Sequence, residues 1–363
     1  LVGSEMCIRD RFSRAPYNPL TGASRWNEAC VPVYTTGTSI DTGGQPRESL
    51  RTVYGRIDQD IDRAIELLEK ARETTLAENN KSHINLYVAL GIKSRACLAE
   101  GDWDGAFKAA KRVIDEGGYA VGTKSDLTGG MNSLDKQNVM WGAGIQVADQ
   151  AGGYAGFFTH MDNKEGAYAK SAPKLISKQL YNRISATDIR RDWWDPSDKE
   201  SPYVSKKFSF GNVASFLGDY IYMRVEEMYF TAAEAALRLD DLKSARELMN
   251  TVMAERDPGY SANNRSGTLL GATTTTWTGS FLENILTHRR IELWGEYGRL
   301  FDVRRLGQGI DRRTDDGFSE ECISMMNRRN VNITKADTYD WVLTIPKAEL
   351  DANPNINEED QNP

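Results

Sequence analysis

The sequence predicts a mainly α protein in which repeated helical hairpins form a scaffold, a large irregular, loop-rich insertion interrupts it, and β structure is scarce. Three observations carry that expectation. Apolar residues recur at helical spacing from Pro46 to about residue 117 and again from Arg224; the second helical block repeats residues of the first; and over 118–222 the period is lost while Gly, Ser, Asn and aromatic residues accumulate.

Residues 1–11, LVGSEMCIRDR, lack the basic start and long apolar core of an export signal. Cys7, preceded by Gly-Ser-Glu-Met, lacks the small-residue setting of a lipid-anchor site. We read this segment as a non-native leader and expect the natural amino-terminal portion to lie outside this chain. Residues 12–45 carry turn signals at Pro16, Asn18-Pro19, Thr21-Gly22, Pro32 and Gly43-Gly44, so they read as a long loop that exposes Tyr17, Trp26 and Tyr34.

Val53, Ile57, Ile61, Ala64, Ile65 and Leu68 then form one helical stripe with charges opposite. A second helix from about Ser82 carries Tyr87, Leu90, Gly91, Ser94, Cys97 and Leu98, and a third follows the Glu100-Gly101-Asp102 break with Trp103, Ala106, Phe107, Ala110, Val113 and Ile114. The segment 239–249 repeats 100–110, with Asp241 on Asp102, Leu242 on Trp103 and Ala245 on Ala106. Helix-turn-helix self-similarity with a unit of ~34 residues marks TPR-like hairpins. The chain therefore divides into the leader, a loop plus TPR-like helices (12–117), the insertion (118–222), and a block (223–363) with the second hairpin and a central charged helix.

In the insertion, Asn138 to Ile145 reads as a strand and Ser171 to Ile184 as a short helix. Its rings make it the candidate ligand region, because irregular connections on a rigid frame are where binding residues sit. Trp193 and Trp194 beside Arg190, Arg191, Asp192 and Asp195 form the best local constellation: a pyranose stacks its C–H faces on indoles while its hydroxyls bond the polar rim. The competing reading is that both indoles plug the insertion onto the helices. Trp141, Tyr154 and Trp26 are further candidates, and Trp103 and Trp294 read as core.

From Ser280 to Gly307, apolar Phe281, Ile285, Leu286, Leu293 and Trp294 alternate with Arg289, Arg290, Glu292, Glu296, Arg299, Asp302, Arg304 and Arg305. A helix with that content cannot keep its arginines in water on one side, so they are expected to run under other elements and meet carboxylates and carbonyls there. Glu226, Glu227 and Glu234 are the expected partners. Trp341 to Ile345 alternates like a short strand.

The formal net charge of −7 and the lack of a basic stripe argue against a nucleic-acid partner. No run approaches the ~20 apolar residues of a membrane helix. Cys7, Cys30, Cys97 and Cys322 show no CxxC spacing, and His83, His160 and His288 show no HExxH, so neither metal nor cofactor is called for. No GxSxG, Walker loop or dinucleotide turn is present, and the reading is of a protein that is not an enzyme.

The stretch Thr287-His-Arg-Arg-Ile-Glu-Leu293, followed by Glu296, Gly298, Arg299, Phe301, Asp302, Arg304, Arg305 and Gly307, resembles the "ERRIEL, EG-R-FDLRR-G" signature of the SusD/RagB family, with His288 where Glu is usual. Arg224 to Ala236 is similar to the family's "R-AE-YL--AEA", and Ile345-Pro346, Glu349-Leu350, Asn353-Pro354-Asn355 and Gln361-Asn362-Pro363 to its "PIP--E---NP-L-QNP" ending. The resemblance covers about residues 30–117 and 220–363. It implies a surface glycan-binding lipoprotein of the outer membrane that captures an oligosaccharide for a SusC-like TonB-dependent transporter. A plain helical-repeat scaffold, or a peptide-binding RagB-like protein, is the alternative.

Overall fold

The structure is a computed structural model that describes residues 8, 11–19, 21–35, 37–39, 41–74, 80–147, 156–265, 279–308 and 342–362. Most of the 1–11 leader, Cys7, Tyr154, Cys322 and Trp341 lie outside the described residues.

Helix α1 (Leu50–Thr74) buries Val53, Ile57 and Ile61 against α2 (Leu86–Glu100). Asn85 caps α2 by accepting the Val88 N–H at 2.9 Å, three residues later than the sequence start signal at Ser82. Gly101, left-handed at φ 81°, ends α2, and Asp102 opens α3 (Trp103–Glu116) by accepting the Gly105 N–H. The insertion follows with α4 (Lys124–Thr128), β1 (Val139–Ala143), α5 (Phe157–Met161), α6 (Ala167–Ser171) and α7 (Lys178–Tyr181). A 3₁₀ turn (Ile189–Trp193) leads into β2 (Trp194–Asp195), β3 (Val204–Ser205) and β4 (Tyr220–Arg224). Helices α8 (Val225–Arg238), α9 (Leu242–Ala254), α10 (Phe281–Glu292), α11 (Arg299–Arg305) and α12 (Lys347–Ala352) complete the described elements.

The second hairpin repeats the first down to its turn. Asp241 accepts the Ser244 N–H at 3.0 Å, as Asp102 does that of Gly105, and each aspartate N–H donates back to a helix carbonyl at 2.9 Å, Cys97 O in one hairpin and Ala236 O in the other. The turn residue preceding each aspartate has positive φ, Gly101 in one hairpin and Asp240 in the other. Helix α8 packs on α3, α9, α10 and α2, which explains why almost every residue of it is buried. Gly91 of α2 makes room for a strand: a Cβ there would meet Met223 Sδ of β4 at 2.3 Å.

β1 and β4 pair antiparallel, Val139 opposite Arg224 and Ala143 opposite Tyr220, as the Asn138–Ile145 reading expects, with an irregularity on both sides of Trp141. Three expectations need correcting. Only Lys178–Tyr181 of the predicted 171–184 helix is helical. The 280–307 stretch is two helices, because Gly295 (φ 76°) and Gly298 (φ 112°) turn left-handed, and a Cβ on Gly295 would lie 2.6 Å from Phe208. Residues 342–345 form no strand; Leu343 donates to Arg11 O and Ile345 to Gln361 Oε1.

The Asn-rich carboxyl end is a clasp. Asn362 Nδ2 donates to Phe12 O and Leu343 O, Arg47 donates to Asp360 O and Asn362 Oδ1, and Asn353 and Asn355 reach Gln45 O and Gly44 O. An amide offers donors and an acceptor together, which is why this motif can tie down the 12–47 loop.

Candidate functional site

The insertion has its own apolar core, and this decides the fate of the strongest candidates. Trp193 and Trp194 are 2% and 1% exposed, packed with Phe158, Ile176, Leu180 and Phe208. Trp193 Nε1 donates to Leu127 O at 2.9 Å, and Trp194 sits edge-on to Trp193 and Trp294, both at 5.8 Å. The pair plugs the insertion onto the frame and presents no open face to a sugar. Trp294 is only half-buried, at the edge of that core.

Arg190, also fully buried, belongs to an ionic lattice. It donates to Asp188 Oδ2 (2.6 Å), Glu292 Oε2 (3.2 Å) and His288 Nδ1 (2.9 Å). Arg256 grips both Glu292 oxygens and Glu226, and Arg224 bonds Glu292 Oε1 (3.0 Å) and both oxygens of Glu296. Lys207, wholly inside, donates to Glu292 O, Trp294 O and Glu296 and lies 4.4 Å from the Trp193 ring. Arg190, Arg224, Arg256 and Lys207 are thus matched by Asp188, Glu226, Glu292 and Glu296. Nearby, Arg305 forks onto Glu234 (2.7 Å twice), Arg289 bonds Asp302, the Glu227 backbone carbonyl and the Thr231 hydroxyl, and the Glu227 carboxylate pairs with Arg95 (2.6 Å) and Arg289 (3.6 Å), so Glu226, Glu227 and Glu234 are pairing partners as expected. Arg190 is corrected from ligand contact to lattice member.

The charges hold one another's protonation states. Burial would raise the Glu292 carboxyl, but Arg256, Arg224 and Arg190 outweigh it and keep it well below the usual range; burial is likewise overcome at Glu234, where Arg305 and Arg238 hold the carboxyl at about 2. Burial pulls Lys207 down to about 8, against the opposing pull of Glu296. Burial, then Arg190 and Arg265, hold His288 well below 6.5, with Glu292 opposing, so it stays the neutral acceptor that Arg190 needs. Where the family pattern has Glu, this chain uses a neutral ring.

A pH dependence follows. The unfolded chain takes up a proton at His288 below about pH 6.5 that the folded chain refuses, and carboxylates whose folded values are lowered add to this below about 4.5. Stability should therefore be flat near pH 7, fall by up to ~1.4 kcal/mol per pH unit from 6.5, and fall more steeply in acid. Thermal melts from pH 4 to 8 check this: His288→Gln should flatten the 6.5–4.5 portion, and an unchanged slope would contradict the assignment.

The remaining candidates scatter. Asp192 is exposed, 3.8 Å from Lys124. Trp141 is half-buried, edge-on to exposed Tyr222 at 5.1 Å on the β1–β4 face. Trp26 is half-buried between Tyr17 (5.8 Å) and Tyr54 (5.2 Å). Tyr154 lies outside the described residues.

What the structure brings together instead is a groove of about 710 Å³ on the insertion. One wall runs from Asp162 to Lys170, the other is the β2–β3 hairpin from Asp195 to Lys206, and Phe208 and Phe210 back it. Asn163 ties the walls, donating to Ser205 O and accepting from Lys174 N, both at 2.8 Å. Asp162 accepts from the Lys164, Glu165 and Phe210 N–H groups, and Asp198 from those of Glu200 and Ser201, so these carboxylates are committed to shaping loops. Ser197 hydrogen bonds, foremost its hydroxyl, lower the Asp195 carboxyl. Rim pairs are loose: Lys206 lies 3.8 Å from Asp195 and Lys170 3.9 Å from Glu165. The groove joins residues some 40 positions apart without periodicity, so sequence reasoning missed it.

The model of the SusD family matches residues 160–363, more than half of the chain and the part that holds both groove and lattice. The chain belongs to the SusD family. Among solved structures, a SusD-like carbohydrate binding protein from Bacteroides vulgatus is similar with TM-score 0.77 at 24% identity, covering 98% of this chain and 74% of its own. A SusD superfamily protein from Bacteroides thetaiotaomicron gives 0.75 at 23%, covering 100% and 76%. Surface glycan-binding protein A from Bacteroides uniformis gives 0.62 at 16%, covering 99% and 75%. At these identities the likeness is one of fold, and it bears out the mainly α reading. No curated protein matches this chain. Within the SusD family signature, Glu292 is the residue on which three guanidiniums converge. Among the described residues, no helix is long and apolar enough to cross a membrane.

Proposed function

We propose that this SusD family chain binds an oligosaccharide in the Asp162–Lys170/Asp195–Lys206 groove and, at the outer-membrane surface, delivers it to a SusC-like TonB-dependent transporter. The observation that carries the reading is the groove itself: a concave site within the size range of ligand pockets, with rim side chains of both signs over an aromatic back, on loops fixed by their own hydrogen bonds. Such a rim meets hydroxyls as donor and as acceptor, and a preordered one loses little entropy on binding. The names of the structural relatives, carbohydrate binding and surface glycan-binding, support the same class. Binding without catalysis fits the committed carboxylates, since Asp162 and Asp198 are occupied by backbone N–H groups and are not poised as an acid–base pair.

Calorimetric titration with a panel of gluco-, xylo-, manno- and fructo-oligosaccharides tests it. Lys206→Ala with Glu200→Ala should weaken the best ligand about tenfold, ~1.4 kcal/mol, with melting unchanged. Undiminished binding would remove the groove from the account, and binding of peptides alone would favour the RagB-like alternative. Co-purification with a SusC-like barrel tests delivery.

A further inference from the structure

A second cleft, about 520 Å³, lies outside the insertion, between the 15–22 loop and the tip of the first hairpin. Two aromatic rings line it, and both are held in place. Tyr17 is 42% exposed, yet its hydroxyl accepts the Trp26 Nε1–H at 2.9 Å and its loop is closed by Arg25 N to Pro16 O and Gly22 N to Asn18 O, both 2.8 Å. Trp103, expected in the core, is half-buried here; the Arg238 guanidinium lies over its ring at 4.3 Å and is itself fixed by Glu234 at 3.0 Å. Leu98, Leu282 and Leu306 supply an apolar lining, and Glu100, Arg238 and Arg305 supply charges of both signs, Arg305 being tied down by Glu234 and Asp302.

A ring left exposed but immobilised by partners behind it is the arrangement that stacking needs, because little freedom is lost when a ligand arrives. The lining suits a ligand with apolar faces and hydroxylated edges and no net charge, since charges of both signs face it. We propose that this cleft is a second carbohydrate site, taking a neutral pyranose unit stacked on Tyr17 and Trp103. The proposal rests on the oligosaccharide reading for the class of ligand and on none of the groove's residues.

Affinity electrophoresis in gels cast with amylopectin, xylan, levan or galactomannan tests it, on the whole chain, Tyr17→Ala, Tyr17→Phe and the Lys206→Ala/Glu200→Ala groove variant, with circular dichroism confirming each fold. On the polysaccharide that retards the parent chain, Tyr17→Ala should lose about three- to tenfold in apparent affinity, while Tyr17→Phe, which keeps the ring and gives up only its hydroxyl tie to Trp26, should lose clearly less. Parent-like retention of Tyr17→Ala with retention lost in the groove variant overturns this site and leaves the groove standing. Equal loss in Tyr17→Ala and Tyr17→Phe overturns stacking, and no retardation of the parent in any gel overturns both sites.

Discussion

Glu292→Gln should lower stability by about 3–5 kcal/mol and the melting temperature by roughly 4–7 °C. The carboxylate is inaccessible and accepts from Arg190, Arg224 and Arg256, so an amide in its place leaves three buried guanidiniums facing a neutral group that also presents N–H donors. The lattice fastens the insertion, through Arg190 and Lys207, to Glu292 at the end of α10 and to Glu296 just after it, so the loss should appear as loosening of the insertion as well as a lower melting point. Calorimetry beside Lys108→Ala gives the contrast, because the Lys108–Asp104 pair is exposed and its removal should stay within about 0.5 kcal/mol. A Glu292→Gln protein that melts within 2 °C of the parent, a bound on the order of 1 kcal/mol, would show that packing, and not the lattice, fixes the insertion.

Trp193→Ala should cost a similar ~3–5 kcal/mol, because it empties the centre of the insertion core, leaves Leu127 O without its indole donor and removes the ring beside the Lys207 ammonium. Chemical denaturation measures this directly. Oligosaccharide binding measured well below the melting point should persist, since no face of Trp193 reaches solvent. Unchanged stability with binding abolished would restore Trp193 as a contact residue.

Much of the frame was legible because its information is local. The α1 stripe and the break at Glu100-Gly101-Asp102 need only neighbours three to five residues away. The charge content of 280–307 likewise announced burial of its arginines, although the glycines at 295 and 298 were read as part of one helix. The insertion was not legible for the opposite reason. Trp193 and Trp194 have the same composition whether they line a groove or fill a core, and what decides between the two is contact with Leu127 and Trp294, distant in sequence. Arg190 looked like a rim residue beside Asp192, but its partner Glu292 lies 102 residues on. The groove walls meet through Asn163 and Ser205, a pairing that no periodicity announces.

The account's central claim is that ligand meets the chain in that groove while the indoles behind it only hold its walls. Hydrogen–deuterium exchange on the whole chain, with and without the oligosaccharide that binds best in titration, reads this peptide by peptide. Slower exchange at 162–173 and 195–210, with any further protection only at the Tyr17–Trp103 cleft, is the predicted result. Protection centred instead on the β1–β4 face around Trp141 and Tyr222, with the groove peptides unmoved, would contradict it.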